Sequence, residues 1–134
     1  MAVSHRRLAA GALAACLALA LLHTWPLAAG PASLSRHDNA DAMLNEWVVA
    51  WVAHQAPRAP LQLFDANIFH PEPRALAFSE HMTVQGLMGA PVLWCGASPL
   101  LAYNLLVLAG LALSAWAMWL LLVRWTGSSA AGAV

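Results

Sequence analysis

The stretch Leu100–Val123, LLAYNLLVLAGLALSAWAMWLLLV, carries no charged residue and decides the class of fold. As a helix it would measure about 36 Å at ~1.5 Å per residue, enough to cross a hydrocarbon core about 30 Å thick. Trp116, Trp119 and Trp125 gather toward its end, beside Arg124. Indole rings favour the headgroup level, so this end reads as a membrane–water interface. A similar run opens the chain: Leu8–Ala29, LAAGALAACLALALLHTWPLAA, preceded by Arg6 and Arg7. Trp25 anchors its far end, and Pro26 ends or kinks the helix there.

Composition agrees with these runs. The 134 residues are 61% hydrophobic and 9% charged, where soluble domains carry about 25% charged residues. The basic residues are all arginine and form no stripe, which excludes nucleic acid as a partner. The hydrophobicity excludes disorder.

No charge lies between Glu80 and Arg124. A continuous helix there would be about 65 Å long, or two crossings. Gly96-Ala97-Ser98-Pro99 offers the break. It leaves Met82–Ala97 as a short segment that either spans with help from Phe78–His81 or re-enters. The expectation is therefore an all-α membrane protein with about three transmembrane helices. Residues 1–29 form the first, 82–125 a transmembrane hairpin, and 30–81 a helical and extended periplasmic loop between the first and second. Residues 126–134 begin a further segment.

Arg6 and Arg7 place the N-terminus in the cytoplasm. Three spans would leave Arg124 outside, and two would return it inside. Two other readings of the first run are a cleavable secretory signal ending near Ala28-Ala29-Gly30, or a lipoprotein signal at Leu13-Ala14-Ala15-Cys16. The length of the run, and its apolar continuation past Cys16, favour a retained helix. All three readings put the next segment outside the cytoplasm. Cys16 and Cys95 lie in apolar stretches and read as small buried side chains rather than a disulfide or metal ligands.

The polar segment 30–80 holds Asp38, Asp41, Glu46, Asp65, Glu72 and Glu80 against Arg36, Arg58 and Arg74, a net charge of −3. Ala40, Met43, Leu44, Trp47, Val48, Trp51 and Val52 recur at helical spacing, predicting an amphipathic helix over 39–55. Asp38 or Asn39 caps it and Asp41 lies in its first turn. Its apolar face either lies along the membrane interface or packs on other helices. Leu61–Pro73, LQLFDANIFHPEP, reads as an ordered extended loop. There Phe64, Ile68 and Phe69 pack, while Asp65, Asn67, His70 and Glu72 face water or a ligand. Ser79 then caps the next helix, with Glu80 and His81 in its first turn.

Asp38 and Asp41, three apart, could serve as general base or hold a divalent metal that neutralises a phosphate leaving group. The same spacing also describes a simple cap and a dipole-compensating carboxylate. Glu80-His81 could orient a lipid phosphate or be plain interfacial polar groups. No H-E-x-x-H, zinc spacing, G-x-S-x-G or glycine-rich phosphate loop is present.

Asp38-x-x-Asp41-x-x-Leu44-Asn45-x-Trp47, then Trp51 and His54, begin a longer pattern. Leu63-Phe64-Asp65-Ala66-Asn67-Ile68-Phe69-His70-Pro71-Glu72-Pro73 and Leu76-Ala77-Phe78-Ser79-Glu80-His81 continue it. Together they resemble the N-terminal part of bacterial polytopic membrane proteins related to the GT-C glycosyltransferases, over roughly Thr24 to Gly127. The resemblance implies a multi-pass protein of the bacterial inner membrane whose first periplasmic loop carries an acidic site. Its partners would be membrane lipid and a polyprenyl-phosphate sugar donor. Asp41 and Asp38 would be the catalytic carboxylates, and the same pair would hold any divalent metal. Asp65, Asn67, Glu80 and His81 would bind substrate. Ala42-Met43 departs from the family's usual Pro-Leu, and His70 from its usual Tyr. Such proteins have many more spans, so the chain reads as a fragment, inactive by itself. The alternative is a small non-enzymatic membrane assembly or interaction protein. A transporter piece is disfavoured, because the spans carry no ionisable residue apart from His23.

Overall fold

Runs of Ala and Leu before His23 and after Pro99 fold as the two long helices. The computed structural model describes residues 2–35, 40–130 and 132. Among the described residues there are four α-helices: α1 (Ala2–His23), α2 (Ala40–Gln55), α3 (Thr83–Trp94) and α4 (Pro99–Thr126). Short 3-10 turns occupy Leu27–Ala29, Pro60–Gln62 and Ala75–Phe78. No strand occurs among the described residues. The all-α expectation holds.

Among the described residues, two helices are long and apolar enough to cross a membrane, Arg6–His23 of α1 and Pro99–Thr126 of α4. Only 6% of each stretch is buried within the protein. The core helix of a soluble domain would be mostly covered. Here Leu19 and Leu22 of α1 and Leu113 and Met118 of α4 are exposed.

The chain forms two compact units, Met1–Ala29 with Val107–Val134, and Gly30–Leu106. In the first, the Trp116 Nε1–H donates to the Ala9 carbonyl at 2.9 Å. Arg6, Leu8 and Ala9 share an apolar cleft with Trp119, Leu120 and Val123. The start of α1 therefore lies beside the C-terminal half of α4. Thr24 closes α1 by donating its hydroxyl to the Ala20 carbonyl at 2.8 Å.

The second unit adds no third helix of spanning length among the described residues. α3 has 12 residues, about 18 Å of helix at ~1.5 Å per residue, short of a hydrocarbon core of about 30 Å. The chain breaks where Gly and Pro predict. Gly96 takes φ +91°, and its N–H bonds to the Leu93 carbonyl at 3.0 Å while the Ala97 N–H reaches the Val92 carbonyl at 3.3 Å. That crossed pair is a Schellman stop, which needs a residue with positive φ. Ser98 Oγ then accepts the Leu101 N–H at 3.2 Å, and Pro99 opens α4. A serine cap followed by proline is a strong helix start.

α2 is packed on two sides. Val49, Val52 and Ala53 meet α3, where Gly86, Gly89 and Ala90 are buried. Val48 and Val52 also join Ala66 and Leu76 in a core flanked by Trp47, Trp51, Leu63, Phe64, Ile68 and Met82. Two indoles tie the unit together: Trp51 Nε1–H to the Leu63 carbonyl at 2.8 Å, and Trp94 Nε1–H to the Ala53 carbonyl at 3.1 Å. The buried stripe is rotated from the expected one. Met43 and Leu44 are exposed, while Ala42, Val49 and Ala53 are buried. The glycines of α3 permit close backbone approach on the small-residue side of α2, and that approach sets the rotation.

Asn104 is 1% exposed. Its amide Nδ2 donates to the carbonyls of Pro31 and Leu34, both at 2.8 Å. It fixes the chain after Gly30 against the first turns of α4. Asn104→Ala removes both donors and is expected to cost about 2 kcal/mol. A lower midpoint of thermal unfolding in detergent, with helix content unchanged at low temperature, is the readout.

Candidate functional site

Asp41 is exposed in the first turn of α2. The helix dipole there favours its carboxylate. Asp38, the other expected catalytic and metal-binding carboxylate, lies outside the described residues. Among the described residues no three His, Cys, Asp or Glu side chains gather to hold a metal ion. What Asp41 offers is one solvent-facing carboxylate, able to accept a proton from a hydroxyl or to contribute one ligand to a cation.

Asp65 has a structural task. Its Oδ1 accepts the backbone N–H of Arg74 at 3.0 Å. The Leu76 N–H reaches the Phe64 carbonyl at 3.1 Å. Together these bonds close the loop 65–74. Asn67, His70 and Glu72 are exposed on that loop, as expected. Phe64 and Ile68 pack on the core, but Phe69 is 77% exposed rather than packed.

Ser79 does not cap α3. The helix starts later, at Thr83, and Met82 precedes it with φ +41° and no side-chain cap. The left-handed turn lets the Met82 side chain join the core, which outweighs the serine cap. Glu80 and His81 therefore precede the helix instead of lying in its first turn. His81 Nδ1 lies 2.9 Å from Thr83 Oγ1, and its ring stands edge-on to Phe64 with centroids 5.4 Å apart. Ser79, Glu80, His81, Thr83 and Gln85 line an open hollow.

Phe64 thus joins the Asp65 loop to the Glu80-His81 segment. No hydrogen bond or ion pair among the described residues ties Asp41 to either. Phe69, Arg74 and Met82 all take positive φ, at 55°, 54° and 41°. Bulky residues seldom adopt this conformation, and strained backbone clusters at functional sites. No glycine or asparagine marks these positions, so the sequence carries no signal for them.

Sequence reasoning passed over Glu46. It is half-buried on the same helical stripe as Ala42, Val49 and Ala53, and that spacing was the available signal. Burial pushes its carboxyl above the ordinary value. A raised carboxyl opposes folding once ionised. The penalty is absent in acid, where folded and unfolded chains both hold the proton, and grows as pH rises through the carboxyl's range. Glu46→Gln is expected to raise the unfolding midpoint at neutral pH and to leave it unchanged near pH 3. Equal shifts at both pH values would contradict the desolvation account.

No family model matches the chain, and searches of curated proteins and of solved structures returned no match.

Proposed function

We propose that the chain is the N-terminal part of a GT-C-type membrane glycosyltransferase, comprising its first two spans and the outer loop between them. The order of elements carries this reading. A helix of spanning length is followed by a folded helical segment with an exposed Asp41, then by a second helix of spanning length. On this reading α1 and α4 cross the bacterial inner membrane, and residues 24–82 lie on the periplasmic side, with α3 at the outer surface. Both termini are cytoplasmic. Two crossings put Arg124 on the same side as Arg6 and Arg7, which the positive-inside tendency favours. The hydrogen bond of Trp116 to the Ala9 carbonyl joins α1 to the C-terminal half of α4, which supports two neighbouring spans.

Asp41 is the general base or, with Asp38, a ligand to a divalent cation that neutralises the donor phosphate. The Asp65–Asn67 loop and Glu80-His81 form the substrate-facing rim. Turnover needs a groove between several helices that holds donor and acceptor together, so the chain alone contacts the donor phosphate without turning it over.

The test uses the full chain in vesicles with a photoactivatable polyprenyl phosphate and Mg2+. Cross-linking to the first turn of α2 is expected, with loss in EDTA and in Asp41→Asn. Equal cross-linking by the matching polyprenol, which lacks the phosphate, would overturn the reading. That outcome would favour a membrane assembly protein, for which the use of Asp65 in closing its own loop is the supporting observation.

A further inference from the structure

α3 has its side chains arranged inside out. Its protein-facing positions are Gly86, Gly89 and Ala90, and all three are buried. Its outward positions are Val84, Leu87 and Met88, exposed by 66, 50 and 56%, with Gln85 exposed beside Val84. The spacing 84, 87, 88, 91 places Pro91 on the same outward stripe, and Pro91 is exposed too. A helix in water buries its large apolar residues and shows its small or polar ones. A helix in lipid packs small residues against protein and turns large apolar ones outward, because lipid chains solvate them as well as a protein core does.

We propose that the outward face of α3 is embedded in the acyl chains of the outer leaflet, as a half-inserted helix that does not cross. This deepens the two-span reading and rests on α4 being a span. Three further observations name lipid as the occupant. First, the uncharged run is continuous from His81 to Val123, so no charge interrupts the surface from α3 into α4. Second, α3 joins α4 through the tight turn 95–98. It also packs on the first turns of α4, where a side chain at Gly89 would touch Leu106 and Ala102. α3 therefore lies at the outer end of the span. Third, α3 is too short to cross by itself. The apolar stretch of α4 runs from Pro99 to Thr126, about 42 Å at ~1.5 Å per residue, so its first turns, and α3 packed on them, reach the level of the outer-leaflet acyl chains.

The test is spin-label accessibility in vesicles of phosphatidylethanolamine and phosphatidylglycerol. Single cysteines replace Val84, Leu87 or Met88 in a Cys16→Ser, Cys95→Ser background, with labels at Met118 and Ser33 as lipid and water references. Labels on α3 are expected to collide with oxygen more than with a water-soluble nickel chelate, as at Met118. Nickel accessibility equal to that at Ser33, with Met118 still lipid-exposed, overturns the proposal and leaves the span intact. Protection from both reagents, with dipolar broadening between copies, also overturns it, in favour of a second chain on this face. Nickel accessibility at Met118 would instead sink the span itself.

Discussion

Gly86→Leu is expected to separate α2 from α3 and to destabilise the Gly30–Leu106 unit by about 3 kcal/mol or more. Gly86 is buried against α2. A single Cβ placed there already overlaps Val52 Cβ and Cγ1. Neither helix can retreat freely. Val52 is held from its other side by Ala66 and Leu76, and Trp94 bonds across to the Ala53 carbonyl. Gly86→Ala is milder, about 1–3 kcal/mol, since one methyl is added. Pairing Gly86→Ala with Val52→Ala makes room for that methyl and should recover part of the loss. The coupling in that double-mutant cycle separates a steric cause from a general helix effect. Helix propensity alone predicts the opposite sign, because alanine exceeds glycine by roughly 1 kcal/mol within a helix. A variant as stable as the parent would contradict the packing described above.

Leu76→Ala is the other large effect. Leu76 is 1% exposed and sits among Val48, Val52 and Ala66. Removing its branched end costs the transfer energy of the lost methyl groups and leaves a cavity, together about 2–5 kcal/mol. The upper part of that range applies if the surroundings hold still. The Trp51 bond to Leu63 and the Leu76 N–H bond to Phe64 both act to hold them. The consequence reaches the candidate site, since Phe64 carries the His81 ring and adjoins Asp65. Denaturant titration followed by tryptophan fluorescence should show a lowered midpoint, and loop 65–74 should become protease-sensitive.

The helices are legible in the sequence through local chemistry. Uncharged length identified α1 and α4. Gly96 and Pro99 predict the break between α3 and α4, because each acts through its own backbone neighbours. Features set by tertiary contact were less legible. The buried stripe of α2 depends on where glycines of α3 come to rest, so counting large apolar residues selected Met43 and Leu44 instead of Val49 and Ala53. The start of α3 was displaced from Ser79 to Thr83 because burying Met82 outweighed a cap. Asn104 passed unnoticed inside an apolar run, although its amide anchors a segment some seventy residues earlier. At the candidate site, the exposure of Asn67, His70 and Glu72 was legible from their polarity. The engagement of Asp65 with Arg74 was not, because it needs a left-handed residue that no glycine announces.

The two-span arrangement, with the helical segment outside and both ends inside, is tested most directly by cysteine labelling. Asn67→Cys and Ser128→Cys are made in a Cys16→Ser, Cys95→Ser background, both at exposed positions. Intact bacterial cells treated with a membrane-impermeant maleimide should label Asn67→Cys, and label Ser128→Cys only after lysis. Labelling of Ser128→Cys in intact cells would mean an odd number of crossings, and protection of Asn67→Cys would mean an inverted chain. Either result contradicts the account.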